Sequence, residues 1–316
     1  MSATKSNCLI AQGPGADGAI ARAAAVIRAG GTVAVPTETV YGLAARADDA
    51  AAVAAIYRAK GRPDFNPLIV HVADRAMADR LVHFDALAER LVERFWPGPL
   101  TLVLPRRADA PVAAAVSAGL PTLALRCPAH PVMRALIAAS GLPLAAPSAN
   151  RSGAVSPTSA AHVLASLGDR VDLVLDSGDS ERGIESTIIA VRDQGWSLLR
   201  PGPIPREVIA ALAGPEMSGT DRGIEAPGQL ASHYAPGKPV RLDADAAQAD
   251  EFLIGFGAVA GDVSLSAAGD LAEAAARLYA CLHAAADAAQ PRIAVAPVPH
   301  SGMGEAINDR LRRAAA

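Results

Sequence analysis

The residues of this chain that could do chemistry sit in short polar clusters at the ends of apolar runs. Pro36-Thr-Glu-Thr39-Val-Tyr-Gly-Leu43 is followed by Lys60-Gly-Arg62-Pro-Asp-Phe-Asn66-Pro-Leu-Ile-Val-His71. Lys60 and Arg62 stand beside Asn66 in a stretch stiffened by two prolines, and such a cationic pair suits an anionic ligand such as a polyphosphate. The same charges would also complement the dipole at a helix C-terminus, so charge alone does not decide. Strand alternation puts Leu68, Val70 and Val72 on one face and Ile69 with His71 on the other. His71 is then either a ligand-facing imidazole or a satisfied structural histidine. In Thr122-Leu-Ala-Leu-Arg126 the leucines point inward, and Thr122, Ala124 and Arg126 share the opposite face. An arginine there either faces solvent or forks onto a carboxylate. Ala146-Pro-Ser148-Ala-Asn150 offers amides, a hydroxyl and a carboxamide where a strand ends, the usual ligand position of open α/β sheets, although an ordinary turn has the same composition. Ser156 reads equally as a helix cap and Ser186 as a strand residue.

The elements that must position these groups are short strands mixed with alanine-rich helices. Strands are predicted over Thr32–Val35, Leu68–Val72, Leu100–Leu104, Thr122–Arg126, Pro143–Ala146, Leu173–Asp176, Ser186–Val191 and Ser197–Arg200, enough for one substantial sheet. A polar loop is expected between Pro36 and the next helix. Helices are predicted over Asp17–Ala29, over Asp49–Ala59 with Asp48 as cap, and from a Ser156 cap to Gly168. From Gly214 to Lys238 the pattern dissolves into Gly and Pro, as a linker would. Beyond it, strands at Val240–Leu242, Phe252–Phe256 and Arg292–Ala296 and helices at Leu271–Ala285 and Ala306–Ala314 read as a second, smaller α/β domain. The expected division is 1–213, a catalytic domain; 214–238, a linker; and 239–316, a small C-terminal domain.

With 316 residues, 51% hydrophobic and 19% charged, the chain is long enough for two cores and unlike a disordered sequence. A net charge of −3 argues against gripping nucleic acid through a broad basic surface. The three cysteines, Cys8, Cys127 and Cys281, are too scattered for a CxxC site and read as thiols of a reducing compartment. The first residues lack a signal-peptide apolar core, and no run is long enough to span a membrane, so a soluble, cytoplasmic protein is expected.

Several motifs mislead. Gly13-Pro-Gly15-Ala-Asp-Gly18 matches a dinucleotide fingerprint, but Pro14 removes an amide from the turn that would cradle a pyrophosphate. Gly255-Phe-Gly257-Ala-Val-Ala-Gly261 has one residue too many. Ser2-Ala-Thr-Lys5 is an SxxK string at a terminus. No P-loop, HExxH or GxSxG elbow is present.

Taken together, the clusters resemble the threonylcarbamoyl-AMP synthase family, the YrdC-type domain in its long two-domain form. The likeness runs over nearly the whole chain: PTETVYGL at 36–43, KGRPDFNPLIVH at 60–71, FWPGPLTLVL at 95–104, LRCPAHP at 125–131, APSANRSG at 146–153, ESTI at 185–188, RPGPI at 200–204, HYAP at 233–236 and GEAINDRLRRA at 304–314. It implies an α/β fold, a twisted mixed-sheet catalytic domain plus a smaller Rossmann-like C-terminal domain. It also implies a nucleotidyltransferase that condenses L-threonine, bicarbonate or CO2, and ATP into threonylcarbamoyl-AMP and pyrophosphate. The product would pass to a separate transferase complex that modifies tRNA next to the anticodon, without direct tRNA binding being required.

By the same resemblance, Thr39, His71, Arg126, Ala146 and Ser186 are expected L-threonine contacts, with Arg126 on the carboxylate and Ala146 acting through its backbone. Arg62, Asn66, Thr122, Ser148, Asn150, Ser156, Arg200 and Tyr234 are expected at ATP. Lys60 and Arg62 are the expected catalytic cations, aided by Mg2+ brought with ATP, whose protein ligands the sequence leaves unassigned. No side-chain nucleophile or essential general base is expected. The segment Pro227–Pro236 is expected to close over the site as a lid. Some relatives carry a lysine where this chain has Ser232, which leaves the linker's phosphate contacts open. Two rivals are an RNA-binding module with a YrdC-like fold and a hydrogenase-maturation carbamoyltransferase. Few aromatics weaken the first, and the second lacks here its zinc-finger and acylphosphatase-like segments.

Overall fold

The structure, a computed structural model, describes residues 7–192, 195–217, 223–229 and 233–316. The SxxK string at 2–5 and Ser232 lie outside the described residues. Ten strands form the first sheet: β1 (Cys8–Ile10), β2 (Val33–Val35), β3 (Gly42–Arg46), β4 (Ile69–His71), β5 (Leu100–Pro105), β6 (Thr122–Arg126), β7 (Leu144–Ala145), β8 (Leu173–Asp176), β9 (Thr187–Arg192) and β10 (Gly195–Arg200). Their order is β1-β8-β2-β3-β7-β4-β6-β5-β9-β10, with parallel and antiparallel pairs mixed. Central strands are buried on both faces, which explains their continuous apolar runs. The second sheet holds β11 (Val240–Arg241), β12 (Glu251–Gly255), β13 (Val263–Ser264) and β14 (Arg292–Val295), all parallel in the order β11-β14-β12-β13. Among the described residues, no helix is long and apolar enough to cross a membrane.

Three local expectations are corrected. The loop expected after Pro36 contains β3, antiparallel to both β2 and β7. Asp48 does not cap the helix Ala50–Lys60; Asp49 does, accepting from the amides of Ala51 and Ala52, while Asp48 pairs with Arg46 at 2.7 Å. Ser156 does not cap a helix either. The helix Ala160–Leu167 is capped by Ser159, and the Ser156 hydroxyl donates to Glu185 Oε1 at 2.6 Å.

The two sheets are tightly joined. Val40, Val155, Ile184 and Tyr234 belong to the same buried cluster as Leu278, Leu282, Ile293 and Leu311 of the C-terminal part. At Gly183 (φ 68°) a Cβ would fall 2.3 Å from the carbonyl oxygen of Ala276, so only glycine allows the helix Leu271–Asp287 to approach this closely.

Candidate active site

The cleft is built from strand ends. Because β4 and β6 run parallel with His71 opposite Arg126, both side chains emerge together. Arg126 is buried; its Nε donates to Gly98 O at 3.2 Å, Nη1 to Thr39 Oγ1 at 2.8 Å and Nη2 to Glu38 Oε1 at 2.5 Å. Burial pushes the Glu38 carboxyl up, but Arg126 outweighs it and holds the group below its ordinary value. Burial, reinforced by the Arg126 charge, drives His71 down to about 3, so its imidazole is neutral at neutral pH. Its Nδ1 has no partner among the described residues. Two buried acceptors, Nδ1 and Glu38 Oε2, thus lie beside a guanidinium without protein donors.

A second cluster is cationic. Arg200, at the end of β10, donates through Nε and Nη2 to Ser186 O at 3.1 and 3.0 Å and through Nη2 to Ser186 Oγ at 3.1 Å. Thr101 Oγ1 on β5 lies 2.8 Å from Ser186 Oγ and fixes that hydroxyl. Arg62 is tied to its own loop, Nε to Asn66 O at 3.2 Å and Nη2 to Pro67 O at 2.8 Å. Burial lowers Arg62 to about 10 and lowers Arg200 as well, yet both guanidinium groups keep their charge at neutral pH. Arg200 is buried and Arg62 half-buried, and two cations lining one cleft suit an anion between them.

The linker roofs the cleft. Pro227, Gly228, His233 and Tyr234 line it together with Thr39, Arg62, His71, Arg126, Ala146, Ser148, Ser186 and Arg200. Ala235 N donates to Gly153 O at 2.8 Å, which fastens the linker to the loop after β7. At Gly228 (φ 88°) a Cβ would lie 2.8 Å from Arg200 Cδ, so the roof rests directly on that arginine. The room left inside is ≈ 50 Å³, against about 300–1,000 Å³ for typical ligand sites. A volume this small leaves no room for a larger ligand in this arrangement of the linker.

Five residues expected at the site stand behind it instead. The Lys60 ammonium does not line the cleft: it is buried and donates to Ser148 O at 2.6 Å and Asn150 O at 2.5 Å. Those two bonds brace the 146–150 loop, and burial, then the Arg62 charge, lowers the amine's pKa below its ordinary value. Asn150 is likewise turned inward, its Nδ2 donating to Arg151 O and Ala154 O. Asn66 and Ser156 are buried beside the cleft, and Thr122 is half-buried at the far end of β6. Sequence reasoning missed Glu38, Thr101, Glu185 and His233. Glu38 lay inside a quoted motif, and nothing in its neighbours marked it as the partner of an arginine 88 positions away.

Known proteins share this architecture. Residues 25–202 match the family described as "Telomere recombination", and residues 204–316 match "Threonylcarbamoyl-AMP synthase, C-terminal domain". The chain belongs to the threonylcarbamoyl-AMP synthase family. The Bacillus subtilis member is 47% identical over 234 residues, covering 72% of this chain and 67% of that protein. The Pyrococcus abyssi member is 45% identical over 225 residues, covering 69% and 66%. In sequence the chain thus spans about two thirds of the length of these curated relatives. In structure the match is more complete: P. abyssi Sua5 complexed with L-threonine superposes with a TM-score of 0.87 at 36% identity, covering 95% of this chain and 94% of that one. The mixed sheet and the smaller parallel sheet are therefore the two-domain architecture of this family.

Proposed function

We propose that the protein is an L-threonylcarbamoyladenylate synthase, and the observation that carries this reading is the pairing of two unlike clusters under one roof. Arg126, with Thr39 and His71, forms an end suited to an amino-acid carboxylate, and Arg62 with Arg200 forms an end suited to phosphate. Threonine bound by Arg126 would present its amine to bicarbonate or CO2, giving a carbamate. One carbamate oxygen then attacks the α-phosphorus of ATP, and pyrophosphate leaves. The protein's share is to hold the reactants in line and neutralise charge on the departing pyrophosphate. Arg62 and Arg200 supply that charge, and Lys60 keeps the loop carrying Ser148 in place. The neutral His71 imidazole is free to hydrogen-bond the substrate's ammonium or hydroxyl.

Mg2+ fits this site as part of the MgATP substrate. Glu185 is the carboxylate lining the cleft, and its oxygens are engaged by Ser156, Tyr279 and Arg310. Among the described residues no group of three His, Cys, Asp or Glu side chains could cage a metal. A cation held mainly by phosphate oxygens and water is the common Mg2+ arrangement. The adenylate is a reactive mixed anhydride, so a roof that excludes water protects it until a tRNA-modifying transferase complex takes it; direct tRNA binding is not needed. The reading places this chemistry in the cytoplasm.

The test is pyrophosphate release from ATP, Mg2+ and bicarbonate with and without L-threonine, with mass detection of the adenylate. Threonine-dependent release with a threonylcarbamoyl-AMP peak is expected. Tight RNA binding at raised salt without turnover would overturn the reading in favour of an RNA-binding module.

A further inference from the structure

Glu185 is held by hydrogen bonds at both carboxylate oxygens, and its partners come from both sheets' domains. Ser156 donates to Oε1 at 2.6 Å; Tyr279 OH donates to Oε2 at 2.8 Å, and Arg310 Nε to Oε2 at 3.2 Å. Tyr279 lies in the helix Leu271–Asp287 and Arg310 in the helix Met303–Ala314, both beyond the linker. Both side chains are fully buried. Arg310 is further fixed by Nη1 bonds to Pro201 O at 2.7 Å and Asp309 Oδ2 at 3.0 Å. The same two residues clasp the linker. The Arg310 guanidinium lies 5.6 Å from the Tyr234 ring centroid, and the Tyr279 ring stacks on Tyr234 with centroids 5.4 Å apart at 29°. Tyr234 itself is held at φ 64°, a left-handed conformation that a bulky residue keeps only where its surroundings impose it.

We infer that Tyr279 and Arg310 of the C-terminal domain are positioning residues for the nucleotide half of the cleft. Through the Glu185 carboxylate they set Ser156, and by direct packing they set Tyr234. The resemblance puts both Tyr234 and Ser156 at ATP, and here Tyr234 lines the cleft while Ser156 is buried directly behind it, so the inference rests on that expectation. The second domain thereby acquires a defined role. Its two side chains complete the nucleotide site from behind, while Arg126 of the threonine end is held by Gly98, Thr39 and Glu38 and bonds to neither of them. The balance of charge supports a set geometry rather than loose packing. A buried carboxylate is tolerated only with its hydrogen bonds complete, and burial, which pushes Glu185 up, is outweighed by Arg310 and Arg200, so the carboxyl is held down at about 2.

The experiment uses the full chain with Tyr279→Phe, which keeps the stacked ring and removes one bond to Glu185, and Arg310→Lys, which keeps the charge and removes the fork. Steady-state turnover is measured with ATP and threonine varied separately, and thermal melts are recorded alongside. Expected is a rise in KM for ATP of about tenfold for each variant, the size of one charge-assisted hydrogen bond, with KM for threonine within about twofold of wild type. Direct titration with ATP alone reads the same loss independently of turnover. Unchanged ATP affinity in both variants would overturn the inference, as would equal losses for both substrates accompanied by a lowered melting temperature, which would mark a merely structural role. Absence of threonine-dependent pyrophosphate release by the wild-type chain would instead refute the proposed function, and the two failures are read from different samples.

Discussion

Replacing Arg126 by lysine is the sharpest test of the threonine end. The arginine makes three hydrogen bonds, to Gly98, Thr39 and Glu38, which leaves two of its five N–H donors for an incoming carboxylate. Lysine keeps a positive charge beside Glu38, so the buried carboxylate is not orphaned, but it supplies one hydrogen bond where the fork supplies two. One lost charge-assisted hydrogen bond costs about 1.5–3 kcal/mol, and at about 1.36 kcal/mol per tenfold the expected fall in kcat/KM for threonine is roughly 10- to 150-fold. KM for ATP should stay within about twofold, because Arg62 and Arg200 are untouched. The assay is initial-rate pyrophosphate release with threonine varied at saturating ATP and bicarbonate, with a thermal melt to verify folding. A loss below about threefold, or an equal loss for ATP, would refute the assignment of Arg126 to the substrate carboxylate.

Two further outcomes follow from the roof and from the buried histidines. Gly228→Ala places a methyl 2.8 Å from Arg200 Cδ and strains a residue at φ 88°; a penalty on the order of 1–2 kcal/mol for the backbone alone should raise KM for ATP and increase hydrolysis of the adenylate, seen as more AMP per pyrophosphate, and an unchanged AMP ratio would count against the roof. Acid stability should fall in two stages. His71, His162 and His233 are held, mainly by burial, at about 3, 4 and 4, below their ordinary 6.5. The unfolded chain therefore takes up protons first, and stability present above pH 6.5 declines as pH drops towards 4. Glu185, at about 2 against 4.5, adds stability present above pH 4.5 and lost as pH falls towards 2, on the order of 3 kcal/mol. Urea titrations of the wild type and His162→Phe between about pH 7 and pH 4 check the first stage; identical pH slopes would exclude His162 as a contributor.

Much of the active cleft was legible in the sequence because its residues come in contiguous motifs at strand ends. Alternation alone placed Thr122 and Arg126 on one face of β6, whereas the expected basic pair is split, with Arg62 lining the cleft and Lys60 buried behind it. What stayed hidden depends on partners far along the chain. Nothing local showed that the Lys60 amine would be consumed by the carbonyls of Ser148 and Asn150, or that Glu38 would meet Arg126. β3 escaped notice because Gly-Leu-Ala-Ala-Arg lacks β-branched residues and owes its strand to neighbours on both sides. Arg310 sits in a run of charged residues that reads as a solvated helix face, yet it is fully buried. A helical pattern reports which face is apolar, and here a cation is buried because Glu185 awaits it.

The left-handed backbone at Tyr234 bears on timing. Holding a bulky residue there costs roughly 1–3 kcal/mol, a factor of about 5–150 in any equilibrium with a form in which that residue relaxes. Were the linker to open as a lid, that strain would oppose the closed form, and ligands beneath it would add to the contacts that keep it down. On that reading the same strain would favour opening once pyrophosphate leaves and those contacts thin out, and the dwell time of the labile adenylate would follow how many of its own groups remain bound to the cleft.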